Sequence, residues 1–227
     1  MKKINLLAGV IVLSIVLFAC NQTPKETAET APVAEQTIEN LKSAITGESN
    51  ASAKYAAFSK YAEMVGMSNI AKIFAAASEA EMIHVNNHQA VLKSLGVDEF
   101  EPIIEEYIPK EEGATIVVSD EDISKNLEAA IEGETYEFTK MYPDFIEAAK
   151  AENVPDAVKS FEYAMKAEKR HAEHYQAVLA LLKAENNDKN VSQEWYICPV
   201  CGELTPTIEA MSNCSICGEK VEKFKKF

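Results

Sequence analysis

From Ile38 onward, apolar residues recur at three- and four-residue spacing through four stretches, about 38–65, 68–95, 120–151 and 155–185. That is the period of helices with one buried face. Gly66 and Gly96 stand where the first two should stop. Ser119 followed by Asp120, Glu121 and Asp122 marks a helix start, and Pro155 suits a first helical turn. The chain begins differently. Lys2 and Lys3 precede an apolar run over residues 4–18, broken only by Asn5 and Ser14. The run is short of the roughly 20 residues a membrane-spanning helix needs and reads as a secretory leader.

The connections between the four helices are unequal. The first and second are joined by a short turn, as are the third and fourth, so each pair is expected to be antiparallel. Residues 97–118, with Pro102, Pro109 and Gly113, form a long link between the pairs. Two hairpins joined by one long crossover have the connectivity of ferritin-like four-helix bundles. An internal repeat supports two copies of one hairpin. Gly47-Glu48 matches Gly133-Glu134, Glu81-x-x-His84 matches Glu168-x-x-His171, and Gln89-Ala-Val-Leu recurs at Gln176. Glu48 to Glu81 spans 33 positions and Glu134 to Glu168 spans 34.

Residues three apart share a helix face, so Glu81 with His84, and Glu168 with His171, can each hold a metal ion. With Glu48 and Glu134 added, two helices give one Glu each and two give Glu-x-x-His, the donor set of di-metal carboxylate bundles. Hard oxygens with one imidazole per metal suit iron or manganese. Glu137, three residues after Glu134, is a seventh candidate. His88 and His174 lie one turn past the ligand histidines and are expected chiefly as surface or buffering groups, with support of the ligands as the other reading.

Near the C-terminus, Cys198-Pro-Val-Cys201-Gly and Cys214-Ser-Ile-Cys217-Gly form two matched knuckles. Two Cys-x-x-Cys turns complete a tetrahedral sulfur site, and this spacing outweighs disulfides even in an exported chain. Iron and zinc both fit it. The formal charge of −14 excludes nucleic acid as a partner, since no cationic excess exists to replace counterions on a phosphate backbone.

The run Glu132-Gly-Glu-Thr-Tyr-Glu-Phe-Thr-Lys-Met-Tyr-Pro-Asp-Phe145 resembles the third helix of rubrerythrins, Gly47-Glu48…Tyr55 resembles their first, and Trp195-Tyr-Ile-Cys-Pro-Val-Cys-Gly resembles their rubredoxin-like domain. The likeness covers about 38–227. It implies a di-iron site from Glu48, Glu81, His84, Glu134, Glu137, Glu168 and His171, with Glu137 and His84 exchanging at one iron as its oxidation state changes. It implies that Tyr55 and Tyr142 hydrogen-bond the ligand shell, core packing being their other role, and that Cys198, Cys201, Cys214 and Cys217 hold one redox-active iron.

The activity implied is reduction of hydrogen peroxide to water in oxidative stress defence, in a homodimer whose copies pack head to tail; the electron donor is unknown. Ferroxidase, iron-storage or other metal-binding roles form the alternative, and a zinc-braced binding module is a third. Leu17-Phe18-Ala19-Cys20 resembles a lipoprotein cleavage site, which makes Cys20 the lipid-modified first residue. Loss of residues 1–19, with two lysines, takes the charge from −14 to −16. The expected organisation is leader 1–19, tether 20–37, bundle 38–185, polar linker 186–194 and rubredoxin-like domain 195–227, in a protein exported and anchored at a membrane face.

Overall fold

The structure, a computed structural model, describes residues 34–98, 100–107 and 117–227. The expected leader, Cys20 and most of the tether lie outside the described residues.

Helix α1 (Glu35–Met64) and α2 (Ser68–Ser94) form the first hairpin. The second pairs a long third helix with α5 (Pro155–Glu185). The third helix comprises α3 (Asp120–Tyr136), a π-helical segment (Glu137–Met141) and α4 (Tyr142–Ala151). Gly66 and Gly96 end α1 and α2 at φ +80° and +87°, a conformation costly to any residue with a Cβ. Ser119 and Asp122 form a reciprocal capping box at the start of α3.

Two departures from the sequence reading have local causes. Helix α1 begins at Glu35, inside the stretch expected as tether, because Glu152 at the end of α4 reaches across to accept the amides of Gln36 and Thr37 at 3.0 and 2.7 Å. A carboxylate at a helix N-terminus satisfies orphan donors and complements the helix dipole. The third helix is also not uniformly α-helical. Its π-turn accommodates one extra residue, since Tyr55 follows Glu48 by seven positions while Tyr142 follows Glu134 by eight. At about 3.6 residues per turn, an uncorrected insertion would swing Tyr142 about 100° round the helix. The wide turn absorbs it.

The apolar faces meet in two clusters, one on each side of a layer of buried glutamates and histidines. Tyr55, Phe74 and Tyr175 centre the first, their rings 5.4–6.1 Å apart. Leu41, Ile45, Tyr142, Ile146 and Phe161 build the second.

The C-terminal domain is a three-stranded antiparallel sheet in the order β2–β1–β3, from β1 (Tyr196–Ile197), β2 (Leu204–Thr205) and β3 (Lys225–Lys226). It packs on α2 and α5 of its own chain. The linker before it is polar but fastened. Asp188 accepts the Asn69 amide at 2.7 Å at the start of α2, and Val191 is buried in the core.

Candidate metal centres

Glu48 lies on α1, Glu81 and His84 on α2, Glu134 on α3, and Glu168 and His171 on α5; all six are buried. They form two overlapping groups, Glu48–Glu81–His84–Glu168 and Glu81–Glu134–Glu168–His171, with ligand atoms in each within 4.8 Å of one another. The shared residues divide their oxygens. Glu168 turns Oε1 to His84 Nδ1 at 2.7 Å and Oε2 to His171 Nδ1 at 2.9 Å. Glu81 does the same at 3.0 and 3.5 Å. Glu81 and Glu168 are therefore set to bridge two ions, with Glu48 and Glu134 at the ends.

These donors fit two cations because no other partner satisfies them. Both oxygens of Glu81 and Glu168, Oε2 of Glu48 and of Glu134, and Nδ1 of both histidines are buried and face only one another, with no hydrogen-bond partner outside the cluster. An interior tolerates such groups only when they are paired or coordinate metal. Without metal, protons take its place. Burial and the neighbouring carboxylates hold Glu48 and Glu134 well above the usual carboxylate pKa. Burial also disfavours charge on His84 and His171, but Glu168 and Glu81 outweigh it and raise both imidazoles. Glu168, flanked by the two rings, is held low despite its burial.

Each histidine is oriented by the C-terminal domain. His84 Nε2 bonds the Cys201 carbonyl and His171 Nε2 the Gly202 carbonyl, both at 3.0 Å. A carbonyl only accepts, so Nε2 carries the proton and Nδ1 faces the carboxylates, the tautomer a metal needs. Asn87 binds the Val200 carbonyl at 2.9 Å and His174 that of Leu204 at 2.9 Å, so α2 and α5 grip the whole first cysteine knuckle. His174 is thus a docking residue, with Trp195 edge-on to its ring. His88 is fully buried and likewise no surface group. Its place seven residues after Glu81, on nearly the same helix face, was the available signal.

Tyr55 donates to Glu134 Oε1 at 2.8 Å and Tyr142 donates to Glu48, each crossing from one hairpin to the other. Glu137 is partly buried and belongs to neither group; it opens the π-turn. His84 completes the group that contains Glu48.

The four C-terminal cysteines converge as free thiols. The Cys198–Cys217 and Cys201–Cys214 sulfurs are each 3.4 Å apart. That is far beyond a disulfide bond and close to the edge of about 3.8 Å expected in a tetrahedral thiolate site. Buried Glu203, which the motifs did not reveal, ties the knuckles together by accepting from Ser215 N and Oγ at 3.2 and 2.6 Å.

A family model described as Rubrerythrin matches residues 39–179. Rubrerythrin-2 of Clostridium acetobutylicum is 37% identical over 191 residues, covering 84% of this chain and 96% of that protein. Nigerythrin of Nitratidesulfovibrio vulgaris is 35% identical over 200 residues, covering 88% and 91%. A solved structure of nigerythrin, fully reduced and all ferrous, superposes with a TM-score of 0.71 at 32% identity, covering 84% of this chain and 86% of that one.

Two outcomes follow. A Cβ on Gly202 would lie 2.3 Å from His84 Nε2, at a φ of +75°. Gly202→Ala should therefore weaken metal binding at the Glu48 group about 10–100-fold while the thiolate absorption survives, as read by metal titration and visible spectra. Second, the metal-free site holds protons that a cation must displace, because Glu48, Glu134, His84 and His171 are all raised, so affinity should rise with pH. Calorimetry in buffers of different ionisation enthalpy reads the protons released, and a release of zero would refute the proton inventory.

Proposed function

The chain belongs to the rubrerythrin family, and on that premise we propose that it reduces hydrogen peroxide to water in oxidative stress defence. A di-iron carboxylate site and a rubredoxin-like four-cysteine site are both indicated by the family and by the donor groups. When bound, the iron pair would supply two electrons to the O–O bond, and the sulfur-bound iron would restore electrons singly.

The observation that carries this reading is the contact between the two donor sets. One hydrogen bond, His84 Nε2–H to the Cys201 carbonyl, joins a ligand of the bundle to a residue whose own thiol is a ligand of the second site. A storage protein has no use for so short a bridge between its mineralising site and a one-electron carrier. The residues of the bundle orient, exclude water and manage protons. Glu81 and Glu168, which belong to both donor groups, would hold the two cations in common. Tyr55 and Tyr142 fix the end carboxylates by donating to them. The apolar clusters above and below keep competing water away. On the family resemblance Glu137, whose charge acts on Glu48, would exchange with the His84 imidazole.

The electron donor is a matter of location. We propose export and lipid attachment at Cys20, supported by the basic start, the apolar run and the Leu-Phe-Ala-Cys sequence. A donor for such a protein lies outside the cytoplasm or in the membrane. Labelling with a clickable fatty acid should mark the wild type and not Cys20→Ala; label on both would end the lipoprotein reading. We also propose a homodimer. The docking described above lies within one chain, and a head-to-tail dimer would exchange the same contacts between copies across residues 186–194. Sedimentation of the mature chain as a monomer alone would remove it.

The deciding experiment mixes anaerobically reduced, iron-loaded protein with peroxide in a stopped-flow spectrometer. The expectation is about three irons per chain, rapid oxidation of the bundle site and slower oxidation of the thiolate iron. A colourless thiolate site, or centres that stay reduced, would replace the peroxidase with metal handling.

A further inference from the structure

Reducing one peroxide to two waters consumes two electrons and two protons (H2O2 + 2e− + 2H+ → 2H2O). The thiolate site answers for the electrons. The protons must reach a layer whose six ligands are all buried.

We propose that Ser160, His88 and Tyr142 form a proton wire from the cleft between α2 and α5 to the Glu48 end of the metal site. The inference rests on the peroxidase reading and adds to it the route by which protons arrive. The cleft has a volume of about 340 Å³ and is lined by Asn87, Ala90, Ser94, Lys159, Ser160 and Tyr163 among others. Ser160 is 7% exposed at its floor. Its Oγ lies 2.8 Å from His88 Nδ1, His88 Nε2 lies 3.1 Å from the Tyr142 hydroxyl, and Tyr142 donates to Glu48. No link is missing.

The donor directions are fixed from the inner end. Tyr142 spends its one proton on Glu48, so its oxygen accepts from His88 Nε2–H. The ring is neutral, because burial and then the nearby His84 depress its pKa to about 3. Nδ1 must therefore accept from the Ser160 hydroxyl. Every hydrogen bond points inward. A proton arriving on Ser160 Oγ releases the hydroxyl proton to Nδ1, Nε2–H passes to Tyr142, and Tyr142 passes its own to the Glu48 oxygen. One proton enters, one leaves, and no charge stays on the ring. Rotation of the hydroxyls and a change of tautomer then reset the wire for the second proton.

The duplicated hairpin supplies an internal control. Positions in the two copies differ by a constant 87 from α2 to α5, as for His84 and His171. The counterpart of His88 is Tyr175, and Ile73 on α2 corresponds to Ser160 on α5. Tyr175 packs 5.6 Å from Tyr55, as His88 packs 5.9 Å from Tyr142. Yet the Tyr175 hydroxyl has no hydrogen-bond partner, and Ile73 is fully buried and apolar. The Glu134 end stops in hydrocarbon, whereas the Glu48 end continues to a cleft. Packing alone would not require this difference.

Ser160 and His88 act through Tyr142 and touch no substrate. The test is the peroxide reaction of the iron-loaded full chain in H2O and D2O, for wild type, Ser160→Ala, His88→Gln and His88→Gly. The variants should react about 10²-fold more slowly, with a larger solvent isotope effect and unchanged iron content. Imidazole should restore His88→Gly. Rates within twofold of wild type in Ser160→Ala and His88→Gln, or a slow His88→Gly that imidazole leaves slow, would overturn the wire. Should the His88 variants lose iron, Ser160→Ala decides alone.

A readout independent of turnover is ring ¹⁵N NMR of the zinc-loaded chain. The Nε2–H tautomer of His88, with an Nδ1 shift altered by Ser160→Ala, supports the wire, and an Nδ1–H tautomer overturns it. A wild type inert to peroxide would sink the peroxidase reading, while the NMR result would still judge the wire itself.

Discussion

Four carboxylates and two imidazoles are buried at the centre of this bundle with many of their lone pairs unpartnered, and the rest of the structure is arranged around that fact. A buried donor set of this kind has to be neutralised by something positive. Protons can do so, as the raised pKa values of Glu48, Glu134, His84 and His171 indicate. Two divalent cations do it better, because each carboxylate oxygen then meets a full charge. Folding and metal loading are thus thermodynamically linked, and the aromatic clusters on either side supply the dry, rigid walls that make the linkage strong.

The second organising contact joins the domains. Asn87, His84, His171 and His174 donate to the carbonyls of Val200, Cys201, Gly202 and Leu204. Backbone carbonyls are unforgiving partners, since they cannot rotate away or change protonation. They set the histidine tautomer on one side and hold the first cysteine knuckle on the other. Only glycine fits between them at position 202, where a side chain would strike His84.

Much of this was legible in the sequence. Glu-x-x-His on two helices, single glutamates on the others, and paired Cys-x-x-Cys knuckles encode short-range chemistry that helical periodicity converts directly into geometry. What escaped depends on contacts far apart in the chain. Glu152 lengthens α1 from across the bundle, His88 is buried by elements 54 and 72 positions away, and His174 finds its partner only once the C-terminal domain docks. The π-turn was visible in part, as separations of 33 and 34 between equivalent glutamates. One residue of difference shows that something was inserted but not whether a loop, a kink or a wide turn absorbs it.

That wide turn keeps the two halves alike in outline while ensuring they are not interchangeable. Its first residue, Glu137, has no acidic equivalent in α1, where Ala51 stands three positions after Glu48. Two identical ions placed in this site would therefore meet unequal surroundings, since only the second hairpin carries this additional carboxylate. A single unpaired electron shared between them would have a preferred home. A nearly repeated pair of hairpins thus offers two ion positions that can be told apart by the residues around them.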